Sequence, residues 1–195
     1  QLNGSFLLAL FVGIVISFVS FMKLAKYLLE YHPILIWSFF FGLILLQVIL
    51  FSKMSVGGYV PYVYVLFILR FPIRFNKSLF LLCSFILGLS LDVFFNSGGV
   101  HAAACTVMAY FRPIALRFAF GRNYEHQTIK LTKVSQSARI AYISILVLIH
   151  HLVLFILETF NFSFFLFTLK SILFSSLYTI FMCLLLVALF KNRKE

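Results

Sequence analysis

From residue 6 to residue 190 the chain is a succession of apolar runs, with most of its basic residues collected in the gaps. A helix needs about 20 apolar residues to cross the hydrocarbon core of a bilayer, with roughly 17 as a lower limit. On that criterion seven spans are predicted, at 6–22, 34–51, 59–73, 79–95, 100–120, 139–157 and 164–190. The third is short and carries Pro61 and Pro72 near its ends, so it is expected to be broken or only partly inserted. Apolar residues make up 63% of the chain and charged residues 11%, against about 25% charged in a soluble domain. Such a chain cannot cover its own surface with polar groups. It reads as an all-α integral membrane protein.

The net charge of +11 raises nucleic acid as a partner, but the basic residues lie between apolar runs and not along one face. They fit a membrane instead, and they set its orientation, because cytoplasmic loops are enriched in Lys and Arg. With the segment after the first span inside, all of the 16 Lys and Arg except Lys53 and Lys170 fall on the inner side. The C-terminus is then cytoplasmic. The longest inner connection, 121–138, carries Arg122, Lys130 and Lys133. It reads as an anchor against anionic lipid, with docking of a cytoplasmic partner as the sharper alternative.

Cys83, Cys105 and Cys183 lie singly inside apolar runs, without a paired or metal-binding spacing. No hydrolase elbow, phosphate-binding loop, zinc-protease helix or dinucleotide glycine pattern is present, and only five acids are. No catalytic residue, metal site or cofactor is expected. No stretch resembles a secretory signal, and Gln1 in place of an initiator Met implies residues upstream.

Ionisable side chains inside a bilayer cost about 2.5–3.5 kcal/mol at mid-helix on insertion scales, so each needs a partner, an exit or a role. Asp92 falls near the outer end of the fourth span and His101 opens the fifth. The short turn between them contains Gly98 and Gly99, which allow the positive φ that such turns use. An Asp92–His101 contact locking the hairpin is expected, with a proton or metal site as the alternative. Ala102, Ala103 and Ala104 let helices approach closely. Pro113 is expected to kink the fifth span, and Arg112 to reach the interface or the carbonyls that the kink frees. His150 and His151 lie mid-span, about 100° apart, one facing the bundle and one nearer its edge. Glu158 and Lys170 lie in the outer half and are candidates to pair.

Four stretches carry a family resemblance: "LLQVILF" (45–51), "PYVYVLFILRFPIR" (61–74), "LGLSLDVFFNSGGVHAAACTVMAYFRP" (87–113) and "LIHHLVLFILETF" (148–160). In content, order and spacing they resemble MreD, the membrane subunit of the bacterial rod-shape system, in its Bacteroidetes branch. Arg70 departs from that pattern, where an apolar residue is expected. The resemblance implies a six-helix bundle over 45–195, similar to the substrate-binding subunits of energy-coupling vitamin transporters. It implies MreC as partner, and indirectly MreB, RodA and the elongation transpeptidase, in scaffolding lateral peptidoglycan synthesis. Residues 1–44 do not fit. "NGSFLLALFVG", "MKLAKYLLEYHP" and "FFFGLI" resemble a fragment of the undecaprenyl-phosphate translocase family. The implied architecture is one extra N-terminal span, a fusion or fragment, joined near 42–46. The leading expectation is a non-catalytic scaffold. The alternative is a transport subunit, either vitamin-binding or polyprenyl-phosphate translocase-like. A proton-coupled carrier using Asp92 and the two histidines is a third.

Overall fold

The computed structural model describes residues 33–73, 76–121, 124, 134–160 and 165–189. The span expected at 6–22, the loop candidates Arg122, Lys130 and Lys133, and the residues after 189 lie outside them. Two compact units are present, Gln1–Phe41 and Gly42–Glu195. Only 33–41 of the first is described, as the start of helix α1 (Pro33–Leu45).

The second unit continues α1 through a π-helical turn, Leu46–Leu50, and a 3₁₀ turn, Phe51–Lys53. A tight turn follows, in which Val56 and Tyr59 pair their backbones and Gly57 and Gly58 take positive φ. The chain then returns through a 3₁₀ turn, Val63–Val65, into the short helix α2 (Leu66–Arg70). Four long helices complete the unit: α3 (Lys77–Phe95), α4 (Val100–Phe120), α5 (Gln136–Thr159) and α6 (Phe165–Leu189). All four are long and apolar enough to cross a membrane. Among the described residues there is no strand. The four reproduce the last four predicted spans. The predicted third span is a broken segment, as its prolines led us to expect, with only Leu66–Arg70 in α-helix.

Helix starts follow from sequence. The Asn76 side chain accepts from the Ser78 and Leu79 amides at the head of α3, and the Ser135 hydroxyl accepts from the Ala138 amide at the head of α5. Helix α3 ends on Asn96 in the left-handed region, a conformation Asn tolerates better than most residues. Consecutive helices pack side by side, α3 on α4, α4 on α5 and α5 on α6. The outward faces carry large apolar residues, among them Val93, Phe118, Leu152 and Phe181. That is the surface a lipid-facing helix presents, since hydrocarbon tails are as apolar as the side chains that meet them.

The broken segment is the most buried part of the unit. Val63 through Leu69 are each at most 2% exposed. Irregular backbone survives at membrane depth only where protein surrounds it and satisfies its polar groups. Four side chains from four different elements do this. Gln47 donates to the Pro61 carbonyl (3.1 Å) and accepts from the Val63 amide (2.8 Å). The Thr179 hydroxyl accepts from the Tyr62 amide (3.0 Å), the Tyr142 hydroxyl donates to the Leu69 carbonyl (3.1 Å), and Arg112 donates to the Phe71 carbonyl.

Candidate functional site

The turn between α3 and α4 brings Asp92 and His101 together, Nδ1 to Oδ1 at 3.1 Å. Gly98 and Gly99 have positive φ there, as does Asn96. The carboxylate does more than meet the histidine. Its two oxygens accept from the backbone amides of His101 and Ala102, both at 2.9 Å, and Oδ1 also accepts from the Ser97 hydroxyl at 2.5 Å. Gly99, at the cap position of α4, has no side chain to satisfy these amides, so an acid from the preceding helix caps this one. Ala102 and Ala104 are buried, and Ala103 is half-buried. The close approach they permit is met across the interface by Gly88.

Arg112 is buried, beside Pro113, which sits inside a helix that continues on both sides of it. The arginine reaches neither the interface nor a carbonyl of its own helix. It donates to the Phe71 carbonyl of the broken segment and to the Tyr142 hydroxyl (2.9 Å), with its guanidinium 4.9 Å from the centre of the Phe80 ring. Tyr142 thus couples α4 to the broken segment. Tyr142→Phe is expected to lower stability by about 1–3 kcal/mol, the usual range for a buried group left without its partner. Thermal unfolding in detergent measures it. Tyr178→Phe, which removes an exposed hydroxyl bonded to the Met54 carbonyl, is expected to stay near wild type.

His150 and His151 are both fully buried, where the sequence placed one nearer the edge. His150 Nε2 is 2.9 Å from the Tyr64 hydroxyl. His151 donates through Nδ1 to the Val147 carbonyl one turn back (2.8 Å), leaving Nε2 to accept from Thr179 at 3.2 Å. Tyr62 packs against His101, His150 and His151, with ring centres 6.0, 6.2 and 5.3 Å away. The histidine pair and the hairpin lock therefore meet at one tyrosine. No group of three or more metal-ligating side chains occurs among the described residues. Glu158 and Lys170 are exposed and form no ion pair with each other.

Two cavities flank the α5–α6 end of the unit. One, of about 400 Å³, is apolar: Leu152, Ile156 and Phe160 form one wall and Phe165, Leu169 and Ile172 the other. The second, of about 460 Å³, is more polar. Gly57, Gly58, Tyr59 and Tyr62 contribute one side, Phe155 and Glu158 of α5 a second, and Phe167, Ser171 and Ser175 of α6 a third. Thr159 borders both, and its hydroxyl accepts from Thr168 at 3.2 Å.

Several residues that organise the unit escape the sequence reading. Gln47 is a single amide in an apolar run, and Thr168, Ser171, Ser175 and Thr179 recur at three- and four-residue spacing on α6. Both patterns are visible signals of polar groups turned inward. Gly88, Ser97, Tyr64 and Tyr142 carry no such signal.

A family model described as undecaprenyl phosphate translocase-like matches residues 1–111. A polyprenyl-phosphate transporter of Vibrio cholerae serotype O1 is 57% identical over 48 residues, which are 25% of this chain and 16% of that protein. No solved structure matches. These findings overturn the MreD-like reading, and with it the role in cell shape and the partners MreC, MreB, RodA and the transpeptidase. The matched region includes 42–46, where the sequence reading placed a seam. It also takes in the broken segment and the hairpin from Asp92 to Phe111, on which the resemblance rested. Of the expectations from sequence, the polyprenyl-phosphate form of the transport alternative is the one that agrees with the matches. With more than half of its residues inside the matched region, the chain belongs to the undecaprenyl phosphate translocase-like family.

Proposed function

We propose that this chain acts in a membrane carrier that binds a polyprenyl phosphate and moves its head group across the bilayer without breaking a covalent bond. The family match over residues 1–111 carries this reading. The apolar cleft between α5 and α6 supports it, because its walls of leucine, isoleucine and phenylalanine suit an isoprenoid chain entering from the lipid. Lys170 is exposed on α6 between Leu169 of the apolar cleft and Ser171 of the polar one. Its charge suits the phosphate of such a lipid. The match to a bacterial transporter supports a bacterial membrane, and the distribution of basic residues supports a C-terminus on its cytoplasmic side.

The test is reconstitution of the chain into vesicles holding polyprenyl phosphate in both leaflets, followed by a phosphatase added outside. Without flipping, hydrolysis stops once the outer leaflet is consumed. With the chain present, hydrolysis is expected to run towards completion, and Lys170→Glu is expected to slow it several-fold. Hydrolysis that stops at the protein-free level, from correctly inserted protein, rules the reading out.

A further inference from the structure

The polar cavity has a composition of its own. Among the described residues its walls carry one carboxylate, Glu158, but no lysine, arginine or histidine. Ser171 and Ser175 border it one helical turn apart. They are 5% and 1% exposed. A serine hydroxyl at a cavity wall can both donate and accept, so the pair can exchange hydrogen bonds with a polar ligand. The remaining walls are aromatic or bare backbone: Tyr59, Tyr62, Phe155 and Phe167, with Gly57 and Gly58 adding no side-chain bulk. The Tyr59 ring is fixed in place by stacking on Phe174, 5.2 Å between centres at 24°.

This set of groups is wrong for a phosphate. An anion there meets a carboxylate and finds no cation among the described walls. It is also more than an ammonium group needs, since about 460 Å³ far exceeds such a group and a bare ammonium has no acceptor to offer the serine hydroxyls. A sugar ring answers every feature. Its hydroxyls donate to the carboxylate and exchange hydrogen bonds with the serines, while its C–H faces lie on the aromatic rings. We infer that the cavity bordered by Glu158, Ser171 and Ser175 is a subsite for a neutral sugar, so the preferred lipid is a polyprenyl phosphate carrying a hexose. The inference rests on the lipid-carrier reading for its tail and phosphate, not for the sugar.

The experiment compares four ligands on the full chain in lipid nanodiscs. They are a polyprenyl phosphate, the same lipid bearing a hexose on its phosphate, an alkyl glucoside, and a phospholipid with an ammonium head group. The hexose-bearing lipid is expected to bind about tenfold more tightly than the bare one. In the variant Glu158→Ala with Ser171→Ala the ratio of the two affinities is expected to fall to about one. Glu158→Ala alone, at an exposed position, provides the same readout should the double variant fold poorly. A wild-type ratio near one, with both lipids bound, overturns the sugar subsite and leaves the carrier reading standing. Binding of the hexose lipid and the alkyl glucoside, but not of bare polyprenyl phosphate, keeps the subsite and sinks the carrier reading. Displacement of the hexose lipid by the ammonium phospholipid overturns the subsite, and so does failure of all four to bind.

Discussion

Gly88→Ala is expected to separate α3 from α4 and to cause the largest loss of stability of any single methyl group added to the described helices. A Cβ at this position falls 2.4 Å from the Ala102 Cα and 2.4 Å from the His101 carbonyl oxygen. Both are backbone atoms of a helix, so neither can rotate aside. Relief requires the helices to move apart along their shared face. That motion also pulls His101 and Ala102 away from Asp92, one turn further along α3. Overpacking typically costs about 1–3 kcal/mol, and a clash against rigid backbone belongs at or above the top of that range. Gly42→Ala is the control. Among the described residues a Cβ there meets nothing within 4 Å, and replacing a helical glycine removes an entropic cost of about 0.5–1 kcal/mol. Thermal unfolding of the two purified variants in detergent is expected to move in opposite directions. A Gly88→Ala protein with wild-type yield and melting temperature would show that the helices do not approach as closely as the structure has them.

Gly88 illustrates what a single sequence reveals here. The four long helices are legible because twenty apolar residues in a row have few other fates. The Asp92–His101 contact is legible too, since two costly groups close in sequence, one on either side of a glycine turn, have little choice but each other. Which glycine faces a neighbouring helix is not legible, because small residues in an apolar run look alike whether they meet lipid or backbone. The partners of Arg112 are hidden for a related reason. Arg112, Tyr142 and Phe71 are far apart in the chain, and the break in the third predicted span brings the Phe71 carbonyl within reach of the arginine. The two prolines foretold the break but not its repair, in which Gln47, Thr179 and Tyr142 supply bonds the backbone lacks. The polar cavity was only partly readable. Glu158 stood out as a charge near the membrane edge, whereas Ser171 and Ser175 matter through their position opposite the Gly57–Tyr59 turn.

Asp92→Ala is the second large effect, and its size follows from how many donors one carboxylate serves. Removing it leaves the amides of His101 and Ala102 unsatisfied in the first turn of α4, together with the Ser97 hydroxyl and His101 Nδ1. Hydrogen bonds to a charged group contribute about 1.5–3 kcal/mol each, and here two backbone amides lose one with no side chain on Gly99 to replace it. The carboxylate also faces the positive end of the α4 dipole, a further stabilisation of about 0.3–1 kcal/mol. A loss of about 3 kcal/mol or more is therefore expected, read as a fall in melting temperature and in folded yield from membranes. Asp92→Asn separates the contributions. Its amide keeps one acceptor oxygen but turns a donor towards the second amide, so it is expected to fall between wild type and Asp92→Ala. Ser97→Ala tests whether the hydroxyl is essential to the arrangement. It removes one of the donors and leaves both backbone bonds, so a loss of no more than about 1 kcal/mol is expected. If instead Asp92→Ala stays within about 0.5 kcal/mol of wild type, α4 does not depend on its neighbour for a cap. If Ser97→Ala is as damaging as Asp92→Ala, the turn is held by its side-chain contacts and not by capping of the helix.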